Sequence, residues 1–274
     1  MLIALALAQA AVADPPVQPI RPSKIILVGD STTQVNSGWG GAFCATRAVS
    51  TAACVNLGRG GRSTKSYRAE GSWAVALAEM KVPGYLATYV LIQFGHNDQP
   101  GKPGRSTDLA TEFPANLRRY VAEARAAGAQ PVLLTPLTRR SFTQGRVTRD
   151  LDPWADSVRR IATEMKVPLV DLTARSAALV EAMGPAMATH LAELPGDAAI
   201  QAAALTGTTV ERSATTTAAP APPAVASDGL PRVGTAPPVF DYTHLGPRGA
   251  ELFAGIVAGE LAKAVPASRP LLIP

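Results

Sequence analysis

The chain has 274 residues, of which 47% are hydrophobic and 17% charged, with a net charge of +5 and an isoelectric point of about 9.5. This length and apolar content are enough for one globular domain with a full core, and they exclude a disordered protein. The basic charge favours an anionic ligand. An acidic polysaccharide fits it as well as nucleic acid does, but nucleic acid is not expected, because no groove-reading motif or interleaving of basic and aromatic residues is present.

Residues 1–13 are typical of the end of a secretory signal peptide. An apolar stretch is followed by two small-x-small sites, which predict cleavage after Ala10 or Ala13. No positively charged segment precedes the apolar stretch, which leaves an upstream start open. The stretch is too short to span a bilayer, so we expect a secreted or periplasmic protein with no membrane attachment after cleavage.

Cys44 and Cys54 are the only cysteines. Their spacing of ten residues allows a disulfide in an oxidising compartment, and two buried free thiols are an equally good interpretation.

Apolar runs bounded by turn residues alternate with segments of helical periodicity. The predicted strands are Lys24–Val28, Cys54–Leu57, Tyr89–Phe94, Pro131–Thr135 and Val167–Leu172, and the predicted helices are Gly40–Ala52, Phe113–Ala127, Pro153–Lys166, Thr173–Met183 and Pro247–Ala264. This alternation predicts an α/β fold, a three-layer α/β/α sandwich around a mostly five-stranded parallel sheet. The domain is expected to cover residues 24–264.

Residues 197–239 differ in composition from the rest of the chain. They consist mostly of Ala, Thr and Pro and contain no aromatic residue, so we expect a largely flexible insertion. A short Ala-rich helix at Ala198–Leu205 is the alternative.

The first strand ends directly in Gly29-Asp30-Ser31-Thr32, which presents a serine at the edge of the sheet. A helix N-cap is the ordinary explanation for such a serine. The alternative is a nucleophile, which requires a base, a group that orients the base, and donors for an oxyanion.

Polar clusters follow two further strands, where open α/β sheets place their sites. The second strand leads into Gly60-Gly61-Arg62-Ser63, whose glycines let backbone N–H groups approach a ligand. The third leads into His96-Asn97-Asp98, and Asn97 could offer side-chain N–H groups to an oxyanion. An ordinary turn explains the His96-Asn97-Asp98 cluster equally well.

Asp241 and His244 precede the last helix with i, i+3 spacing. In a turn, the carboxylate can hold one ring nitrogen while the other faces a serine hydroxyl. The remaining histidine besides His96 and His244 is His190, which is expected to be structural. A nucleophile, a base, its orienting group and oxyanion donors are therefore all available at strand ends.

These four blocks resemble those of the SGNH hydrolases over roughly residues 25–261, and within that superfamily the rhamnogalacturonan acetylesterases of carbohydrate esterase family 12. The similarity is carried by Gly29-Asp30-Ser31-Thr32, Gly38-Trp39-Gly40, Gly61-Arg62-Ser63, Phe94-Gly95-His96-Asn97-Asp98 and Asp241-x-x-His244. The segment at 197–239 is longer than the family pattern leads one to expect.

The resemblance implies a flavodoxin-like SGNH hydrolase fold and a cofactor-independent serine esterase. Ser31 would be the nucleophile, His244 the base and Asp241 its orienting group, and the Ser31 N–H, the Gly61 N–H and the Asn97 side chain would form the oxyanion hole. Gly60 is the alternative to Gly61 if the alignment slips by one residue. The implied substrate is acetylated rhamnogalacturonan or pectin, acted on by a monomer.

Charge and resemblance together suggest that Arg62, Arg139 and Arg140 bind substrate carboxylates, although each could be an ordinary surface arginine. Three alternatives to the acetylesterase stay open: a broader lipase-like esterase or thioesterase, a metal-dependent phosphoesterase, and a non-catalytic carbohydrate-binding protein. The hypothesis of a metal-dependent phosphoesterase is disfavoured for two reasons. The histidines are few, and two-metal phosphoesterases of the Gly-Asn-His type have Asn before His, whereas this chain has His96 before Asn97. The binding-protein reading is disfavoured because no triad member is missing.

Overall fold

The structure, a computed structural model, describes residues 21–210 and 240–273. The predicted signal peptide and residues 211–239 of the predicted insertion lie outside the described residues. No helix in the part of the chain that the structure describes has the length and apolarity needed to cross a membrane.

The described strands comprise one parallel sheet and one small hairpin. Their bounds are Lys24–Gly29 (β1), Ala53–Asn56 (β2), Thr88–Gln93 (β3), Gln130–Leu134 (β4), Phe142–Thr143 (β5), Arg146–Val147 (β6) and Leu169–Val170 (β7). The sheet has the order β2-β1-β3-β4-β7 with every neighbouring pair parallel, and β5 and β6 form the antiparallel hairpin. All five predicted strands are present in the sheet, but the hairpin was not predicted.

The described helices cover both faces of this sheet. Their bounds are Gly40–Ala42 (α1, continued by a π-helical segment Phe43–Arg47), Ser66–Ala69 (α2), Ser72–Met80 (α3), Glu112–Ala126 (α4), Asp152–Glu164 (α5), Leu172–Thr189 (α6), Ala198–Leu205 (α7) and Pro247–Ala264 (α8), followed by a 3₁₀ helix Pro266–Leu271.

Strand β1 shows why the fold has three layers. Ile25 and Leu27 point into the core that includes α8, whereas Ile26 and Val28 point into the core that includes α4 and α5. Because successive side chains of a strand face opposite sides, an unbroken apolar run requires helices on both faces. The predicted α/β/α sandwich with a five-stranded parallel sheet is confirmed.

Two helix predictions need correction. The helix predicted over Gly40–Ala52 ends at Arg47, because the chain then becomes extended and Ala48 pairs with Leu272 near the C-terminus. The helix predicted over Thr173–Met183 continues to Thr189, with a break at Gly184 before Pro185. Helices α2 and α3 were not predicted.

The described part of the predicted insertion contains α7, which corresponds to the Ala-rich helix considered as the alternative. The Asp197 side chain caps it by accepting the Ile200 N–H at 2.9 Å, and Ile200 is buried beside Phe240 and Tyr242. Residues 197–205 are therefore packed against the domain instead of forming an open loop.

Cys44 and Cys54 form a disulfide, which decides between the two interpretations left open by the sequence. The bond joins the π-helical segment after α1 to β2, the strand that leads into the Gly60-Gly61 turn.

Candidate active site

Ser31 lies in a tight turn at the carboxyl end of β1. Oδ1 of Asp30 accepts hydrogen bonds from the backbone N–H and the hydroxyl of Thr32, both at 2.8 Å, and so closes the turn around Ser31. The next helix begins only at Gly40, so the Ser31 side chain is not a helix cap. Its hydroxyl makes no hydrogen bond to any other described residue, and the residue is 7% exposed.

The close approach of β3 explains the glycine before this turn. A Cβ atom at Gly29 would lie 2.6 Å from the Gln93 carbonyl oxygen and 2.4 Å from the Thr33 hydroxyl. Only glycine fits without displacing the strand. The turn is thus held firmly against the sheet edge.

Asp241 and His244 form the hydrogen-bonded pair that their spacing predicted. Nδ1 of His244 lies 2.5 Å from Oδ2 of Asp241, while Oδ1 of Asp241 accepts the backbone N–H groups of Thr243 and His244, each at 2.7 Å. The carboxylate therefore fixes both the imidazole and the turn that carries it. Nε2 of His244 has no hydrogen-bond partner among the described residues.

Each residue of this pair favours the charged form of the other. The hydrogen bond to Asp241 raises the pKa of His244, although partial burial opposes the shift. Burial would raise the pKa of Asp241, but the contact with His244 and the backbone N–H groups outweigh it and lower the pKa to about 2. Asp241 is therefore ionised wherever His244 titrates.

The loop that carries His244 is bound to the loop that follows Ser31. The Leu245 N–H donates to the Ser37 carbonyl oxygen at 2.9 Å. Ser31 and His244 themselves are not hydrogen-bonded, and such catalytic contacts are often long until substrate binds.

The two predicted oxyanion segments are in direct contact. Nδ2 of Asn97 donates to the Arg62 carbonyl oxygen at 3.1 Å, which leaves its second N–H available. Gly61 has a φ of +78°, in the left-handed region, whereas Gly60 has no positive φ and would bring a Cβ within 2.7 Å of the Gln34 side chain. Both glycines are thus constrained, but only Gly61 adopts the unusual backbone conformation.

Asp98 connects the segment after the Gly61 turn to the loop between β3 and α4. It is buried, and its Oδ1 accepts from the Thr64 hydroxyl at 2.6 Å and the Thr107 hydroxyl at 3.0 Å. Burial raises the pKa of Asp98 to about 7 despite these donors.

His96 is buried behind the Ser31 turn and takes no part in the site surface. Its Nδ1 is 3.5 Å from Oδ2 of Asp30, an electrostatic contact too long for a good hydrogen bond. Burial lowers the pKa of His96, so its ring is neutral. His190 is exposed at the end of α6, and the residues that follow it pair with Leu245 and Gly246, just after His244.

Arg140 is buried in the protein interior, a position that argues against the substrate contact expected from the sequence. Its side chain is fully buried, and its guanidinium donates to the carbonyl oxygens of Asp241 (3.1 Å), Thr243 (3.3 Å) and His244 (2.7 Å). Because these oxygens belong to the turn that carries the Asp241–His244 pair, Arg140 supports that turn from inside the protein.

Arg62 and Arg139 are both paired within the protein. Arg62 donates to Glu70 at 2.8 Å and to the Gly60 carbonyl oxygen at 2.8 Å. Arg139 donates to Asp150 at 2.9 Å, to the Thr243 hydroxyl at 2.6 Å and to the Gln99 side chain at 2.7 Å. About a fifth of each side chain is exposed, so their contact with substrate stays a prediction.

The sequence reading missed Lys102 and Arg105, which lie in the loop between β3 and α4. Nη1 of Arg105 is 3.4 Å from the Gly61 carbonyl oxygen and 3.5 Å from Oδ1 of Asn97, and Nζ of Lys102 donates to the His96 carbonyl oxygen at 2.7 Å. The only signal in the sequence was two basic residues in a Gly- and Pro-containing loop directly after the Asn97 block.

A cavity of about 750 Å³ opens beside Asp241. It is lined by polar and aromatic side chains: Arg139, Ser141, Phe142, Thr143, Thr148, Asp150, Thr209, Phe240, Asp241, Tyr242 and Thr243. The hairpin β5–β6 supplies part of one wall, and a volume of this size accommodates a small ligand. Within residues 21–210 and 240–273, no group of three or more His, Cys, Asp or Glu side chains is arranged to hold a metal ion.

Comparisons with known proteins agree with this geometry. Residues 27–252 match the model of the GDSL-like lipase/acylhydrolase family. The chain is 38% identical over 174 residues to the rhamnogalacturonan acetylesterase RhgT of Bacillus subtilis, a match that covers 60% of this chain and 71% of RhgT. It is 32% identical over 166 residues to YesY of the same organism, named "probable rhamnogalacturonan acetylesterase", with 58% of this chain and 75% of YesY covered.

Among solved structures, the YxiM protein of Bacillus subtilis superposes with a TM-score of 0.59 and 23% identity. The match covers 90% of this chain but 58% of YxiM, so the chain spans a little over half of that protein. At this identity the likeness concerns the fold alone. The family match extends over most of the chain and includes Ser31, Asn97, Asp241 and His244. The chain therefore belongs to the GDSL-like lipase/acylhydrolase family and is a carboxylic ester hydrolase.

Proposed function

We propose that this protein is a serine acetylesterase that removes O-acetyl groups from acetylated, acidic plant cell-wall polysaccharide of the rhamnogalacturonan type. The observation that carries the proposal is the 2.5 Å contact between Asp241 and His244 on a turn bound to the Ser31 loop. The rhamnogalacturonan acetylesterase RhgT, at 38% identity, supports the choice of substrate.

The reaction begins with attack of the Ser31 hydroxyl on the acetyl carbonyl carbon. Nε2 of His244 accepts the hydroxyl proton as the C–O bond forms, and Asp241 stabilises the resulting imidazolium. The negative charge that develops on the carbonyl oxygen is met by the N–H groups of Ser31 and Gly61 and by the free N–H of Asn97. Because the acetyl group is small, this step needs no large acyl pocket.

Collapse of the tetrahedral intermediate expels the sugar oxygen, which takes the proton from His244 and leaves as an alcohol. Water then attacks the acetyl-enzyme, with His244 again accepting a proton and returning it to Ser31. The products are acetate and the deacetylated sugar. No external oxidant, reductant or cofactor enters the balance.

Acetate release from a panel of substrates tests this proposal. The panel contains acetylated rhamnogalacturonan, acetylated xylan, 4-nitrophenyl acetate and a long-chain 4-nitrophenyl ester, each assayed with the wild type and with Ser31→Ala. We expect acetylated rhamnogalacturonan to be the best polymer and Ser31→Ala to lose activity by roughly 10⁴-fold or more.

Other outcomes would favour the alternatives. Faster hydrolysis of the long-chain ester than of any acetylated polymer would indicate a lipase-like esterase. Wild-type activity in Ser31→Ala, or absence of labelling by a fluorophosphonate probe, would contradict the nucleophile. Loss of activity in EDTA would point to a metal-dependent mechanism.

Export from the cytoplasm is part of the same proposal, since the polymeric substrate lies outside the cell. The apolar start of the chain and the disulfide between Cys44 and Cys54 support it. N-terminal sequencing of protein recovered from a secreting host should find cleavage after Ala10 or Ala13, and an intact N-terminus in the cytoplasm would contradict it.

A further inference from the structure

Arg105 reaches both segments that form the predicted oxyanion hole. It lies in the loop between β3 and α4, and its side chain is half-buried. Of its side-chain nitrogens, only Nη1 lies within hydrogen-bond distance of another described residue. It is 3.4 Å from the Gly61 carbonyl oxygen and 3.5 Å from Oδ1 of Asn97. Both contacts are long for hydrogen bonds, so they do not saturate the guanidinium.

The remaining side-chain donors of Arg105 have no partner among the residues that the structure describes. Its Nε and Nη2 atoms have no hydrogen-bond partner in the described parts of the chain, and no described carboxylate lies within ion-pair distance of it. Arg62 and Arg139, the arginines singled out from the sequence, are instead neutralised by Glu70 and Asp150. Arg105 is thus a positive charge at the edge of the site without a counter-ion among the described residues.

Lys102 adds a second uncompensated cation beside it. Nζ of Lys102 donates to the His96 carbonyl oxygen, and no described carboxylate pairs with it. Burial and the positive charges of Arg139 and Arg105 lower the pKa of Lys102. Like charges gathered at the rim of a site repel one another, and an anionic ligand would relieve that repulsion.

The chemistry of the free donors defines the anion. Nε and Nη2 of an arginine form a planar fork that matches the two oxygens of a carboxylate. We propose that Arg105 binds the carboxylate of an acidic sugar adjacent to the acetylated one, and so makes the esterase selective for polyuronate-containing substrates. This inference rests on the proposed acetylesterase function and names the residue that would recognise the substrate's charge.

A purely structural role for Arg105 makes a different prediction. If Arg105 only orients the Asn97 amide, its loss would impair hydrolysis of every ester equally. If it binds a sugar carboxylate, its loss affects substrates that carry that carboxylate and spares neutral ones. The two roles are therefore separated by substrate choice.

The test compares Arg105→Gln with the wild type on three substrates. These are acetylated rhamnogalacturonan, the same polymer with its carboxyl groups methyl-esterified, and 4-nitrophenyl acetate. We expect kcat/KM on the acidic polymer to fall, through KM, about tenfold or more beyond any change on the other two substrates. Arg105→Lys should recover only part of the loss, because lysine lacks the fork.

Arg119→Gln is the matched control. Arg119 is an exposed arginine on α4 whose only ion pair among the described residues, with Glu123, spans 3.9 Å, so this variant removes one positive charge that contacts neither Gly61 nor Asn97. An equal loss of kcat/KM on the acidic polymer in Arg119→Gln would show that the effect of Arg105→Gln comes from the change in net charge. Equal losses on all three substrates in Arg105→Gln, or no loss on the acidic polymer, would overturn the proposal.

Inhibition by unacetylated oligogalacturonate separates failure of this inference from failure of the proposed function. Even if the wild type released no acetate from any polymer, oligogalacturonate should inhibit its hydrolysis of 4-nitrophenyl acetate competitively, and Arg105→Gln should weaken that inhibition about tenfold. A wild type that is not inhibited would contradict carboxylate binding. Inhibition without polymer deacetylation would contradict only the proposed function.

Discussion

The two carboxylate oxygens of Asp241 have different partners. Oδ1 accepts two backbone N–H groups and shapes the turn, whereas Oδ2 holds the imidazole of His244. An asparagine could keep the first set of bonds through its amide oxygen and would present an N–H group to the ring. Asp241→Asn therefore removes the charge and the correct tautomer without removing the turn.

The rate of Asp241→Asn should show this in its pH dependence. His244 must be neutral to accept a proton, so activity rises as pH increases through its pKa. Since Asp241 raises the pKa of His244, the acid limb of the wild-type profile should lie above the ordinary value of about 6.5. In Asp241→Asn, we expect this limb to move to lower pH and kcat to fall roughly 10³- to 10⁴-fold.

Measurement of kcat and of kcat/KM for 4-nitrophenyl acetate from pH 5 to 9 checks both effects. Glu193→Gln is the control, because Glu193 raises the pKa of His244 only through a weaker, more distant interaction. Its profile should move far less than that of Asp241→Asn. An acid limb that stays in place in Asp241→Asn would show that another group controls the rate.

At the level of elements, the catalytic turn depends on a residue that follows β4. Arg140 donates to three carbonyl oxygens of residues 241–244 from a fully buried position. A lysine carries one ammonium group in place of the planar fork and cannot reach all three oxygens. Arg140→Lys should therefore leave buried carbonyl groups unpaired.

We expect Arg140→Lys to lower the free energy of unfolding by about 2–4 kcal/mol. Its kcat should fall at least about tenfold with KM nearly unchanged, since the turn carries His244 but Arg140 is fully buried. Urea unfolding and steady-state kinetics below the melting temperature measure these effects. Arg125→Lys is the control, because exposed Arg125 also donates to two carbonyl oxygens, those of Met165 and Lys166. If Arg140→Lys kept a normal kcat and its only defect were weaker binding of acidic polymer, the interpretation of Arg140 as a substrate-binding residue would be restored.

The strands of the sheet could be predicted from sequence, but some smaller elements could not. The central strands β1 and β3 are mainly apolar runs because both of their faces are buried, whereas the edge strand β2 is only partly buried. The hairpin β5–β6 has only two residues a strand, and its turn places Gln144 and Gly145 at positive φ, where Asn-Gly is the usual signal. Helix α3 follows Gly71 without a side-chain cap, so it lacked the usual start signal.

At the level of the whole molecule, the same contrast applies to the site. Ser31, Asn97 and the Gly61 turn could be predicted to converge because parallel strands end at one edge of the sheet. The surroundings of long side chains follow from packing between distant segments, which no local pattern encodes. Arg140 is buried against residues a hundred positions later, and Arg105 reaches Gly61 across 44 positions. The sequence therefore indicated a basic site but not which of its arginines is buried and which is exposed.

The Cys44–Cys54 disulfide connects the helical layer to the edge of the sheet and should contribute to global stability. Closing a loop of about ten residues is expected to stabilise the fold by roughly 3 kcal/mol, through the entropy of the unfolded chain. We expect reduction with dithiothreitol to lower the urea midpoint of the wild type accordingly. Activity well below that midpoint should be nearly unchanged, because neither cysteine contacts the described catalytic residues.

The double variant Cys44→Ser/Cys54→Ser provides the control for this prediction. Its urea midpoint should match that of the reduced wild type and should not respond to reductant, because it has no disulfide to lose. A wild-type midpoint insensitive to reductant, with free thiols detected by a thiol reagent, would contradict a stabilising bond. A drop in midpoint on adding reductant that is seen in the wild type but not in the double variant would link full stability to folding in an oxidising compartment, which agrees with the proposed action on extracellular polysaccharide.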